Sequence, residues 1–303
     1  MSPIGGKLMR TTIAYNEILK ALNLWASKEL SCKNIKHKSG NEFIQYLNYA
    51  NKLITPKLRK ISISKNFCIS ENNKTGFQLL VNKLEQGQDV NSHLSKLTGN
   101  AEYIDYLLDG YGIKHFHLGI AEKDNFVERT GVLALAFVTE DEIFFITSKG
   151  HGDDTWYGKD VLEIIHEERP DLIEHAKVKG ICGIEPKITS VEDIKYCRQN
   201  QLSIAIELDD GTVYFQNDLG TTLAGYSLKH IWEQNMIIDR IAHNINTELL
   251  YDIHEIVHTI DIKINKFIPH KEIAGEFIFE FIRENKFTKG KLPFLLEKRK
   301  QNQ

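Results

Sequence analysis

Ile113-Lys-His-Phe-His-Leu118, Gly131-Val-Leu-Ala-Leu-Ala-Phe-Val138 and Glu142-Ile-Phe-Phe-Ile-Thr147 are three short runs dense in β-branched and aromatic residues. That composition is the one strands favour. Only Thr139-Glu-Asp-Glu142 separates the second run from the third, room for a hairpin turn, so those two are expected to be antiparallel neighbours. The second run is apolar at both parities, which predicts a central strand covered on both faces.

Upstream the period changes to that of helices. Apolar residues recur three and four apart in Ile13, Ile18, Leu19, Leu22 and Trp25, and again in Phe43, Tyr46, Leu47 and Leu53. Ile61-Ser-Ile-Ser reads as a short strand, Asn72-Asn-Lys-Thr-Gly76 as a turn-rich break, and Phe77 to Gln86 as a further helix. Downstream, Gly150 to Gly158 reads as a loop, and Val161, Leu162, Ile164 and Ile165 as one face of a helix that Pro170 ends. Ser203–Leu208 and Thr212–Phe215, joined by Asp209-Asp-Gly211, predict a second hairpin. Residues 228 to 266 are expected to be helical with a break near Asn244 to Asn246, and Pro269 to start another helix carrying Phe277, Phe279 and Phe281.

The fold class expected is therefore α+β: a helical N-terminal region, a central antiparallel sheet with flanking helices, and a C-terminal hairpin plus helices. Three segments follow from charge. The net −3 is a cancellation, because residues 1–100 carry 15 Lys+Arg against 6 Asp+Glu, residues 101–180 carry 8 against 17, and residues 181–303 carry 15 against 18. At 42% hydrophobic and 26% charged, with 6 Pro and 20 Gly in 303 residues, collagen-like and disordered classes are excluded. The four cysteines, Cys32, Cys68, Cys182 and Cys197, form no Cys-x-x-Cys pair. No run reaches the ~20 apolar residues of a membrane span and none has the form of a signal peptide, so a cytoplasmic location without membrane contact is expected.

The densest set of chemically able side chains lies in the acidic middle segment. His115 and His117, two apart on a strand, project from one face, and Lys149 and His151 share a parity at the end of the third run. Arg129 precedes the central strand, and Trp156 and Tyr157 follow in the loop. Imidazoles, cations and an aromatic plane are what metal-independent RNA cleavage uses, for proton transfer, for charge on the phosphorane and for holding a base.

Over about Asp105 to Glu174 the order of elements resembles the RelE/HigB-type toxins of bacterial toxin–antitoxin systems, small ribonucleases that cut mRNA. That resemblance implies His115, His117, Arg129, Lys149 and His151 as catalytic residues; Trp156 and Tyr157 are the expected substrate contacts, and no cofactor is expected. The resemblance implies RNA or the ribosome, and a cognate antitoxin or regulatory protein, as partners. The whole chain is also similar to uncharacterised bacterial proteins sharing His-x-His-Leu-Gly and Arg-Thr-Gly-x-Leu, which implies no activity. An acidic segment repels phosphates, so the ribonuclease expectation requires the basic residues of 1–100 to lend their charge to the cleft.

Two further readings stand beside it. One is a non-catalytic binding or regulatory protein that assembles through its charged surfaces, the basic block docking on the acidic one. The other is a zinc-dependent hydrolase, since His254-Glu-Ile-Val-His258 satisfies H-E-x-x-H. On a helix, His254 and His258 would lie one turn apart with Glu255 as general base, and Glu272, Glu276, Glu280 and His270 are the candidates for a third ligand.

Overall fold

The computed structural model describes residues 4–188, 190–216, 220–244, 257–283 and 286–297. Its first elements are α1 (Ile4–Cys32), α2 (Glu42–Lys52), β1 (Lys60–Ile63), α3 (Glu71–Glu85), α4 (Tyr106–Tyr111), β2 (Ile113–His117), β3 (Glu122–Lys123), β4 (Phe126–Val127), β5 (Val132–Val138) and β6 (Glu142–Gly150). There follow α5 (Asp153–Tyr157), α6 (Asp160–Glu168), β7 (Lys177–Cys182), α7 (Val191–Gln199), β8 (Ala205–Glu207), β9 (Thr212–Phe215), α8 (Leu228–Asn244), β10 (Val257–Ile268), β11 (Glu272–Arg283) and β12 (Lys286–Glu297). The fold is α+β, and no described helix is long and apolar enough to cross a membrane.

The chain forms two compact units that cut across the charge segments. One comprises residues 1–50, 100–102 and 230–303, the other 51–99 and 103–229.

In the first unit, Ile18, Leu22, Ala26 and Leu30, spaced by four, turn one face of α1 into the core. They share that core with Phe43 and Leu47 of α2, Ile238 and Ile241 of α8, and Ile262, Ile264 and Phe267 of β10. The sheet here is antiparallel in the order β10-β11-β12. This corrects the expected C-terminal helices. Ile262 and Ile264 are buried while Asp261 and Lys263 are exposed, a period of two that only a strand satisfies. Pro269 opens a turn rather than a helix: Lys271 N–H donates to the Ile268 carbonyl at 3.0 Å and His270 has φ +58°.

The second unit is built on the sheet β1-β6-β5-β2, antiparallel over β6-β5-β2 with β1 added in parallel at the edge. β5 is central, as its unbroken apolar run predicts. Leu133, Leu135 and Phe137 pack on one side with Val161, Leu162 and Ile165 of α6. Ala134 and Ala136 pack on the other with Leu80 and Leu84 of α3 and with Phe116 and Phe145. The Asp209-Asp-Gly211 hairpin forms, with Gly211 at φ +84°, but in a separate sheet, β7-β9-β8, that extends none of the other three. Two local readings are corrected. Residues 72–76 lie inside α3, whose first residue follows Ser70 at the N-cap, and residues 153–157 form α5 rather than loop.

Register in the main sheet carries one irregularity that matters for chemistry. Leu135 pairs with Thr147 but Ala136 with Phe145, so Ile146 is an extra residue in β6. The bulge reverses the parity of everything after it. Lys149 is thereby set opposite Leu133, which is itself opposite His117.

Candidate functional site

His115 and His117 lie on β2, the sheet's edge strand, and project from the face that carries Leu133 and Leu135. Both are buried, at 5% and 1% exposure. The ring of His151, just beyond β6, is exposed and lies nearly parallel to that of His117, 5.5 Å between centroids at 19°. Trp156 of α5 closes the group, edge-on to His115 at 5.0 Å and 6.2 Å from His151. Arg129, exposed and two residues past β4, donates from Nη1 to His117 Nε2. Five of the seven residues expected from the sequence thus converge: His115, His117, Arg129, His151 and Trp156.

The other two stand apart. Lys149 is on the same face, but its ammonium is held by Asp160, 2.7 Å from Oδ2, with Asp154 Oδ2 at 3.8 Å. It acts as a pinned strand-end cation that ties β6 to α6. Tyr157 is buried with its ring 5.6 Å from that of Tyr106, and offers no open face to a base.

The electrostatics of the cluster divide the histidines by role. Burial pushes the His117 pKa down to about 3, and the Arg129 guanidinium beside it works in the same direction. His117 is therefore a neutral imidazole whose Nε2 accepts from Arg129, and it positions that guanidinium. Burial also lowers the pKa of His115, while Asp105, with Oδ2 at 3.5 Å from Nδ1, pulls the other way. Asp105 caps α4 through its Leu107 and Leu108 N–H groups, so the carboxylate facing His115 is fixed by the helix it starts. His93, whose Nδ1–H donates to the His117 carbonyl at 2.8 Å, ties down the end of β2. Asp before an apolar helical turn is a legible N-cap signal; nothing near His93 in the sequence announces its contact.

Two cations of the basic stretch 1–100, Lys57 and Arg59, do not serve this cluster. Lys57 pairs with Asp141 at 2.7 Å and Glu140 at 3.7 Å, and Arg59 Nε donates to the Thr139 carbonyl at 3.0 Å. All three partners belong to the β5–β6 turn, at the other end of β6 from Gly150, about 25 Å away at ~3.3 Å per residue. Glu142 is likewise engaged, in a two-pronged pair with Arg169 at 2.9 and 3.1 Å.

Of the alternative zinc site, His254 and Glu255 lie outside the described residues, and His258 belongs to β10, a strand, instead of the helix expected for it. Glu272, Glu276 and Glu280 are on β11. Among the described residues no group of three or more His, Cys, Asp or Glu side chains could hold a metal ion. Comparison with known proteins adds no relative: no protein-family model, no curated protein and no solved structure matches the chain.

Proposed function

We propose that the second unit is a metal-independent ribonuclease of the toxin-like kind, with the cluster of His151, Arg129, His117, His115 and Trp156 as its site. One observation carries the reading: an exposed imidazole, an exposed guanidinium and an indole meet at the end of one sheet face, and neutral His117 holds the guanidinium in place. In this reading His151 takes the proton of the 2′-hydroxyl as the 2′-oxygen attacks phosphorus. Arg129 stabilises the charge on the phosphorane. The P–O5′ bond breaks, and the proton held by His151 returns through solvent to the 5′-oxygen. The products are a 2′,3′-cyclic phosphate and a 5′-hydroxyl. Trp156 supplies a stacking edge for a neighbouring base. Lys57 and Arg59 are engaged at the β5–β6 turn and lend the cluster no charge, so Arg129 stands in place of the basic residues of 1–100, and the substrate is single-stranded RNA held at few phosphates.

The test is cleavage of a single-stranded oligoribonucleotide in EDTA, with products resolved by mass. Cyclic-phosphate ends are expected, with a loss on the order of 10²-fold in His151→Ala and 10²–10³-fold in Arg129→Gln. Both residues are exposed, so the variants should fold. Intact RNA with the wild type, or equal rates with His151→Ala, would overturn the proposal.

A further inference from the structure

In the first unit, α8, the turn from β10 to β11 and the end of β12 border a cavity of about 220 Å³. A single water needs only ~10–15 Å³ of such space, so the room is that of a small organic molecule. The floor is core: Leu47, Phe267 and Ile273 line it and are almost fully buried. The α8 wall is not. Trp232 and Met236, one helical turn apart, line the cavity and stand 60% and 44% exposed, while Ile238 and Ile241 carry another face of the same helix into the core. Two large apolar side chains left to water beside an apolar hollow mark a place that an apolar group covers.

The rim carries the opposite chemistry. Arg240, His270 and Lys271 line the same cavity and are exposed. Among the described residues neither Arg240 nor Lys271 meets a carboxylate. Arg240 Nη2 donates instead to the Glu297 backbone carbonyl at 3.1 Å, which anchors the side chain at the end of β12 and leaves its charge unneutralised. Of the two acids on the lining, Glu272 is taken by Lys266 at 3.0 Å. The other, Glu233, is outnumbered by the two cations and limits a ligand to one negative charge.

We propose that this cavity binds a small amphipathic monocarboxylate, its apolar body against Trp232, Met236 and Phe267 and its carboxylate at Arg240 and Lys271. A dry apolar cavity of ~150 Å³ accepts a benzene ring, so this one accepts a body of roughly eight carbons. A guanidinium takes both oxygens of one carboxylate, and a lysine adds a point charge. An indole face and a thioether pack equally on a flat ring or an alkyl chain, so the shared chemistry is one carboxylate on an apolar body. The site lies in the first unit, uses none of the residues of the proposed ribonuclease cluster and stands without that proposal.

The experiment titrates the full chain with nonanoate and, separately, with 3-phenylpropanoate, and reads heat by calorimetry together with tryptophan emission. Saturable binding of at least one acid is expected, with emission moving to shorter wavelength as Trp232 loses water and most of that movement absent from Trp232→Phe. Binding of nonanoate alone identifies an alkyl-chain acid, binding of 3-phenylpropanoate alone an aromatic one, and binding of both supports the shared chemistry. Nonylamine, which carries the opposite charge, should bind at least tenfold more weakly than the tighter acid. Arg240→Gln should weaken binding about fivefold or more, and Met236→Glu, which sets a carboxylate on the apolar wall, about tenfold or more. Both positions are exposed, so these variants should fold. A wild type with no saturable response to either acid overturns the proposal, and this arm needs no variant. So do nonylamine binding as tightly as the acids, an emission shift that Trp232→Phe keeps in full, and unchanged affinity in Met236→Glu. Emission that moves with protein concentration instead of ligand also overturns it, because a second copy of the chain would then cover the face.

Discussion

Raising salt from 50 to 200 mM should weaken the binding of single-stranded RNA by only about three- to sevenfold. The figure comes from counting cations at the cluster. Lys149 is neutralised by Asp160 and Asp154, and Lys57 is committed to the β5–β6 turn. Arg129, with no carboxylate on it among the described residues, engages one phosphate, and one further contact is allowed for. One or two contacts give a slope of about −0.7 to −1.4 in log affinity against log salt for single strands, hence the three- to sevenfold loss over a fourfold rise in salt. A surface that used five or more lysines and arginines would lose about a hundredfold over the same range. The assay is fluorescence anisotropy with an oligonucleotide carrying 2′-deoxy at the cleavage position, so that binding is read without turnover. In Arg129→Gln the slope should flatten by about 0.7. A slope steeper than about −3, or one that Arg129→Gln leaves unchanged, would show that RNA is held elsewhere and refute the placement.

Stability should fall steeply on acidification. Burial lowers the pKa of His93, His115 and His117 in the folded chain, the last to about 3 from 6.5. The unfolded chain therefore binds more protons below pH 6.5, so the stability these residues lend is complete above that pH and is lost as pH falls toward the folded values. Each contributes a slope of up to ~1.4 kcal/mol per pH unit. In urea denaturation between pH 6 and 4, His117→Gln should be flatter than wild type by about that amount, and equal slopes would count against the neutral-imidazole assignment. Gly76→Ala sets two effects against each other. Alanine in a helix is favoured by ~1 kcal/mol, but a Cβ at Gly76 would run into the Leu118 backbone carbonyl, and α3 would have to retreat from the sheet. We expect the overlap to prevail, with a net loss of about 1–3 kcal/mol in chemical denaturation; a stabilised variant would show that α3 is free to shift.

What was legible in the sequence was local. The both-parity apolar run of β5, the four-residue turn into β6 and the Asp-Asp-Gly hairpin each carry their own geometry in a few residues, and each forms where expected. Misread stretches were those in which one composition serves two periods. Phe277, Phe279 and Phe281 alternate with polar and aliphatic residues at a spacing of two, which belongs to a strand, yet Pro269 before them is as good a helix opener as a turn former. Ser190 ahead of Val191 shows the opposite case. It is a capping residue whose hydroxyl accepts from Asp193 N–H, and it marks the start of a helix, α7, that periodicity alone does not display. The site divides in the same way. That His115 and His117 share a face follows from spacing on one strand, whereas the face of Lys149 depends on a one-residue bulge that no local pattern encodes.

Charge shows most clearly why segments of sequence are the wrong unit for an argument about surfaces. Divided by position, the chain swings from 15 cations against 6 anions to 8 against 17. Divided by the units that fold, residues 51–99 and 103–229 hold 20 Lys+Arg against 26 Asp+Glu, and the remainder 18 against 15. The basic stretch is cut in two at residue 50, and its second half carries pairs such as Lys57–Asp141 and Lys83–Glu122 within the acidic unit. Charge complementarity between the blocks is therefore partly spent inside one unit, where it contributes little net stability at exposed sites and removes those cations from any path a polyanion could follow. A nucleic acid bound at the His151–Arg129 cluster must then be gripped by one or two phosphates and a stacked base. That makes the affinity weak, the salt dependence shallow, and the Arg129 guanidinium, held by a histidine too buried to protonate, the group on which binding depends.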